Sequence, residues 1–124
     1  MKIDISIGEL VDKVTILSIK VEKIRDETKL KNIHKEFDLL KSVMESVGIS
    51  TDSDEFKTLK AVNLNLWHIE DKIRIKEAKK EFDDGFINLA RSVYFENDKR
   101  SELKKNINLQ TNSEIIEEKE YAKY

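Results

Sequence analysis

The chain has 124 residues, of which 39% are charged and 39% hydrophobic, with no Pro, no Cys and only three Gly. That length fits one domain, 1–124, able to bury a core without staples, and so few Gly and Pro in a charge-rich chain exclude a turn-rich β-architecture. The formal net charge of −2 comes from 23 basic and 25 acidic residues that are interspersed, so no basic field exists to release counterions from a nucleic-acid backbone, and nucleic acid is not an expected partner.

Lack of Cys excludes disulfides and thiol chemistry and fits a reducing cytoplasm. The start MKIDISIGEL has no basic region ahead of an apolar run, and no apolar stretch approaches the roughly 20 residues that span a bilayer. The expectation is a soluble cytoplasmic protein with no membrane insertion.

In chain order, residues 2–7 alternate polar and apolar with Ile3, Ile5 and Ile7 on one side, the period of a short half-buried strand or of an extended lead-in. Ser6 and Glu9 have the spacing of a capping box, with Ile5 and Leu10 placed as a hydrophobic staple, so a helix starts there. Leu10, Val14, Leu17, Val21 and Ile24 then step by fours and threes along one face. After a break near Asp26–Lys29 the spacing resumes in a new phase as Leu30, Ile33, Phe37, Leu40, Met44 and Val47, which reads as an antiparallel helical hairpin.

Gly48 sits where a left-handed C-cap belongs, and residues 50–55 offer several N-caps, so a loop is expected at 48–52. Beyond it Phe56, Leu59, Val62, Leu66, Ile69 and Ile73 draw the next helix, and Phe82, Phe86, Leu89 and Val93 continue the apolar spacing. The stretch Asp83-Asp84-Gly85 lacks a full cap, so the reading is a long helical spine that continues through it. Asn97 or Asp98 either caps a further helix or lies within the rod. Residues 106–110 alternate weakly and would pair with 2–7 as a minor two-stranded β element near the termini, while Thr111 and Glu114 repeat the capping-box spacing ahead of a short terminal helix. The fold class is all-α: a helical hairpin packed on a long spine. Apolar residues along that spine exceed what one hairpin covers, which points to a homodimer.

Signals of chemistry are sparse. Glu9 with Asp12 and Glu81 with Asp84 are carboxylate pairs at helical spacing, the arrangement that a divalent-metal-dependent hydrolase of nucleotide or phosphosugar substrates would need. In a chain one-fifth acidic, an ion-paired or solvated face is the favoured reading of both, and no metal or cofactor is expected. His34 and His68 belong to no ligand set, and a packed, hydrogen-bonded His68 beside Trp67 is expected. No glycine-rich phosphate loop and no nucleophile elbow exist. The richest patch is 91–101, where Arg91, Tyr94, Asn97, Asp98 and Arg100 recur at helical spacing. It reads as an internal network to the first helix, with Arg91 tied inward and Arg100 peripheral, ahead of a ligand site in which two arginines close an anion or phosphosugar pocket.

The stretches SIGELVDKVTILSIKVEKI, LWHIEDKIRIKE, FINLARSVYFENDKRSELKKNIN and SEIIEEKEYAKY together resemble a family of short uncharacterised bacterial and phage proteins, over nearly the whole chain. The resemblance implies a context, since some members lie near or are fused to genes for surface-polysaccharide and glycosyl-transfer functions. It implies no catalytic residues. A helical accessory or interaction protein, with a protein partner in glycan biosynthesis or nucleotide-sugar metabolism, follows as the leading expectation, and the metal-dependent hydrolase as the alternative.

Overall fold

Helix α1 (Ile7–Lys23) begins at the expected cap, and all four of its unsatisfied first-turn N–H groups find acceptors. Ile7 N–H donates to Ser113 Oγ (3.1 Å), Gly8 N–H to Asn108 Oδ1 (2.6 Å), Glu9 N–H to Ser6 Oγ (3.1 Å) and Leu10 N–H to the Ser6 carbonyl (3.1 Å). Two of these acceptors come from the far end of the sequence, so the start of α1 is clamped by the end of the chain's last helix. Gly8 makes the clamp possible: a Cβ there would sit 2.4 Å from the Lys104 carbonyl oxygen.

The computed structural model describes residues 1–124 and adds helices α2 (Glu27–Ser46), α3 (Asp54–Ala78) and α4 (Asp84–Gln110) to α1, with no strand. Two antiparallel hairpins result, α1–α2 and α3–α4. Helix α1 packs on the other three, whereas α2 packs on α1 alone. Leu10, Val11 and Val14 of α1 meet Met44, Ile49, Phe56, Leu59 and Ile107 in a single core.

The helix ends share one device. Gly48 (φ +88°), Lys80 (φ +57°) and Asn112 (φ +54°) are left-handed, and the residue after each donates its N–H back across the last turn: Ile49 to Met44 O (3.3 Å), Glu81 to Lys76 O (2.9 Å) and Ser113 to Asn108 O (2.9 Å). These are Schellman closures of α2, α3 and α4.

Three expectations need correction. The spine is not continuous: Lys80 closes α3, Asp83 opens α4 by accepting from Phe86 N–H (2.9 Å), and Asp83 also holds Lys76 (3.0 Å). The β element is absent, because residues 106–110 form the last turns of α4 and leave 2–6 with no strand to pair with. No terminal helix forms either. Thr111 is the C-cap of α4, its hydroxyl turned back onto the Ile107 carbonyl (2.6 Å), and residues 115–124 return without regular structure along α4, tied by Lys104–Glu117 and Lys105–Glu118 (both 3.3 Å).

Length then sets the shape. Helices α3 and α4, with 25 and 27 residues against 17 in α1, reach about 37 and 40 Å against about 25 Å. The α3–α4 hairpin therefore runs on past α1 as a two-helix ribbon, and from Leu64 to Leu103 no residue is fully buried.

Candidate functional site

Where α1, α3 and α4 meet, the core gives way to a buried polar network built on Asp12, whose side chain is 1% exposed. Helical spacing puts Asp12 and Thr15 on the same side of α1, facing Asn63 of α3 and Arg100 of α4. Arg100 clasps the carboxylate with two donors, Nε to Oδ1 (2.9 Å) and Nη2 to Oδ2 (2.5 Å). Asn63 Nδ2 donates to Asp12 Oδ1 and to Thr15 Oγ1 (2.8 Å each), and the Thr15 hydroxyl donates to the Asp12 carbonyl (2.7 Å). One turn along α4, Lys104 Nζ binds Glu9 (2.7 Å) and Glu117 (3.3 Å) and lies 3.9 Å from Asp12 Oδ2. Glu9 is thereby drawn from its capping-box role: its backbone is capped by Ser6 while its side chain serves Lys104.

Two opposed effects set the charges here. Burial pushes the Asp12 carboxyl up, but hydrogen bonds from Arg100 and Asn63 and the charges of Arg100 and Lys104 outweigh it and hold the group below its ordinary value. Burial likewise pushes Lys104 down, and the hydrogen bond that its ammonium donates to Glu9, with the surrounding carboxylates, brings it above the ordinary lysine value. Both groups are charged at neutral pH, and the network is internally compensated.

The network floors an open cleft of about 480 Å³ between the three helices. Ile16 and Ile19 of α1, Leu66 and Trp67 of α3 and Val93 of α4 form its apolar wall, Asn63, Asn97 and Arg100 its polar end, and Glu70, Asp71 and Arg74 its rim. Each helix supplies a stripe at three-four spacing, as in Asn63, Leu66, Trp67, Glu70, Asp71 and Arg74. Arg100 spends Nε and Nη2 on Asp12, and its Nη1 has only a long 3.5 Å contact to Asn97 Oδ1, so a guanidinium held rigidly from below keeps unspent donors at the cleft.

The patch 91–100 divides. Asn97 and Arg100 reach the cleft. Tyr94 and Asp98 instead meet the C-terminal segment, where the Tyr124 hydroxyl donates to Asp98 and the Tyr94, Phe95 and Tyr124 rings stand 5.0–5.1 Å apart. Arg91 is exposed, so the roles expected of the two arginines are reversed: Arg100, not Arg91, is the inward one. His68 is exposed, not packed.

The two carboxylate pairs do not converge. Glu9 and Asp12 are engaged by Lys104 and Arg100, whereas Glu81 pairs with Lys76 (3.5 Å) at the ribbon tip. Asp84 opens α4 there, 16 residues from Arg100, or about 24 Å along the helix. No group of three His, Asp or Glu side chains is placed to hold a metal ion, and no helix is long and apolar enough to cross a membrane.

Sequence reasoning missed Asn63, Thr15 and Lys104. Asn63 was findable, as an amide in phase with the apolar run Phe56, Leu59 and Val62, whereas the depth of Lys104 depends on its contacts with Glu9 and Glu117, distant in sequence. Comparison with known proteins finds one family model that matches residues 1–124, described as a family of unknown function (DUF6165). Neither the curated proteins nor the solved structures give a match.

Proposed function

The chain belongs to this family, and we propose that it acts by association rather than by catalysis, as a helical accessory protein that pairs with a second copy through the α3–α4 ribbon. The observation that carries the reading is the ribbon itself: 40 consecutive residues, Leu64–Leu103, with none buried although Ile75, Phe82, Ile87, Tyr94 and Phe95 are each 40–55% exposed. A lone two-helix hairpin cannot cover both of its faces, and two such hairpins laid together complete a four-helix bundle.

The area fits a dimer. The three aromatics among these five carry about 150–250 Å² apiece, so exposure near one-half leaves roughly 300 Å² on them. Ile75, Ile87 and the half-buried Ile69, Ile73, Phe86 and Leu89 bring the face towards the roughly 800 Å² per partner of a standard interface. The tip carries charge of both signs, Lys79 and Lys80 against Asp83 and Asp84, which suits a two-fold contact of the face with itself.

A cytoplasmic role beside glycan or nucleotide-sugar metabolism belongs to the same reading. It is supported by the context that the family resemblance implies and, on the glycan side, by a cleft that combines one indole with amide, guanidinium and carboxylate groups. Light scattering on a size-exclusion column tests association: the parent is expected at twice the 14.5 kDa chain mass, and Phe82→Ser/Ile87→Ser at the chain mass. A monomeric parent at tens of micromolar refutes the reading.

A further inference from the structure

The cleft discriminates by charge. Arg100 enters it already neutralised by Asp12, and the rim then sets two carboxylates, Glu70 and Asp71, against one base, Arg74, which lies 3.4 Å from Glu70. An anion would face net negative charge, with no uncompensated buried cation to receive it. A compact cation would find the carboxylates, but it would leave unspent the Arg100 donors at the floor and would not use the apolar wall.

The requirements describe one class of molecule. It is uncharged, it has an apolar face for Trp67, Val93 and Ile16, it offers oxygen acceptors to Arg100 and the side-chain amide of Asn97, and it offers donors to Asp71. A ring that carries several hydroxyl groups meets all four conditions, because each hydroxyl both donates and accepts while the ring C–H groups present an apolar face. From this we infer that the cleft between α1, α3 and α4 is a binding site for a neutral saccharide ring, and that it selects against phosphorylated or nucleotide-linked sugars. The inference rests on the reading of the protein as an accessory beside glycan metabolism, not on its pairing, and names the ligand class of its cleft. The cleft lies where the ribbon meets α1, whereas Ile75, Phe82 and Ile87 of the face assigned to the second copy lie nearer the tip.

Trp67 is the only Trp, so its fluorescence reports the cleft directly. Glucose, galactose, N-acetylglucosamine and maltose are titrated to 50 mM beside glucose 1-phosphate, UDP-glucose and inorganic phosphate. At least one neutral sugar is expected to give a saturable change at millimolar concentration, tighter than every anionic probe. Asp71→Asn, on an exposed position that leaves the fold untouched, is expected to weaken that binding about tenfold. Absence of a saturable response to all four neutral sugars overturns the inference, as does tighter binding of any anionic probe or an unaltered affinity in Asp71→Asn. Scattering mass measured on the same samples keeps this separate from the reading of association: a dimer that binds no sugar sinks only the ligand, and a monomer that binds sugar sinks only the dimer.

Discussion

Replacing Arg100 by Ala removes both donors that Arg100 places on Asp12 (2.9 and 2.5 Å) and leaves a carboxylate that is 1% exposed. Breaking a buried ion pair by deleting one partner costs about 3–5 kcal/mol. Two features moderate this: Arg100 is itself 29% exposed, and Lys104 remains 3.9 Å from Asp12 Oδ2 while Asn63 keeps its bond. The expected loss is about 2–4 kcal/mol, out of a total that for domains of this kind is about 5–15 kcal/mol. Arg91→Ala, on an exposed side chain, should stay within about 0.5 kcal/mol. Asp12→Asn combined with Arg100→Ala removes the stranded charge, so the double variant should lose less than the sum of the two singles by about 1–3 kcal/mol. Urea denaturation followed by circular dichroism measures the parent and all four variants, Asp12→Asn alone among them. An Arg100→Ala loss below about 1 kcal/mol, or an equal loss in Arg91→Ala, refutes the reasoning.

Gly8→Ala tests the clamp between α1 and α4. Alanine favours helix by about 1 kcal/mol, yet its Cβ would lie 2.4 Å from the Lys104 carbonyl oxygen and 2.9 Å from Asn108 Oδ1, so the melting temperature should fall by the equivalent of about 1–3 kcal/mol net; a rise contradicts the close approach. Lys80→Gly relieves a left-handed residue (φ +57°) and should stabilise by up to about 1 kcal/mol in the same melts. For pH, Asp12 is held below its ordinary value against the push of burial, chiefly by Arg100 and Asn63. Its contribution is therefore present above the unfolded value of about 3.9 and is lost as pH falls through the lower folded value. Lys104 is raised in spite of burial, by Glu9 and neighbouring carboxylates, so its contribution holds below about 10.4 and is lost as pH rises through the folded value. The urea midpoint should drop in acid below about pH 4, and that drop should shrink in Arg100→Ala.

What was legible in the sequence was whatever lies in local spacing. The Ser6 cap, Gly48 and the three-four seams of α1 and α3 all stand in the structure, because each depends on residues within one or two turns. A break between α1 and α2 stands as well, though it falls at residues 24–26 rather than at Asp26–Lys29, because Asp26 already caps α2. The break at Lys80 was hidden since a Lys occupies the position where Gly marks a Schellman closure, and Asn112 hid the end of α4 behind what looked like the start of another helix. Thr111 and Glu114 have the spacing of a capping box, but Thr111 already ends α4 as its C-cap. The site was half legible for a different reason. Periodicity showed that one arginine of the 91–100 stretch turns inward, while the choice between Arg91 and Arg100 depends on which face α1 covers, a matter of packing between residues 88 apart.

The absence of Cys allows association through the ribbon to be tested by position. A single cysteine is introduced at Ile87 on the ribbon, 51% exposed, or at Val43 on α2, 44% exposed, and each protein is treated with a short bismaleimide at micromolar concentration. A covalent dimer is expected from Ile87→Cys, suppressed when Phe82→Ser is added, and little from Val43→Cys. Equal cross-linking at the two positions, or none at Ile87→Cys, would contradict it.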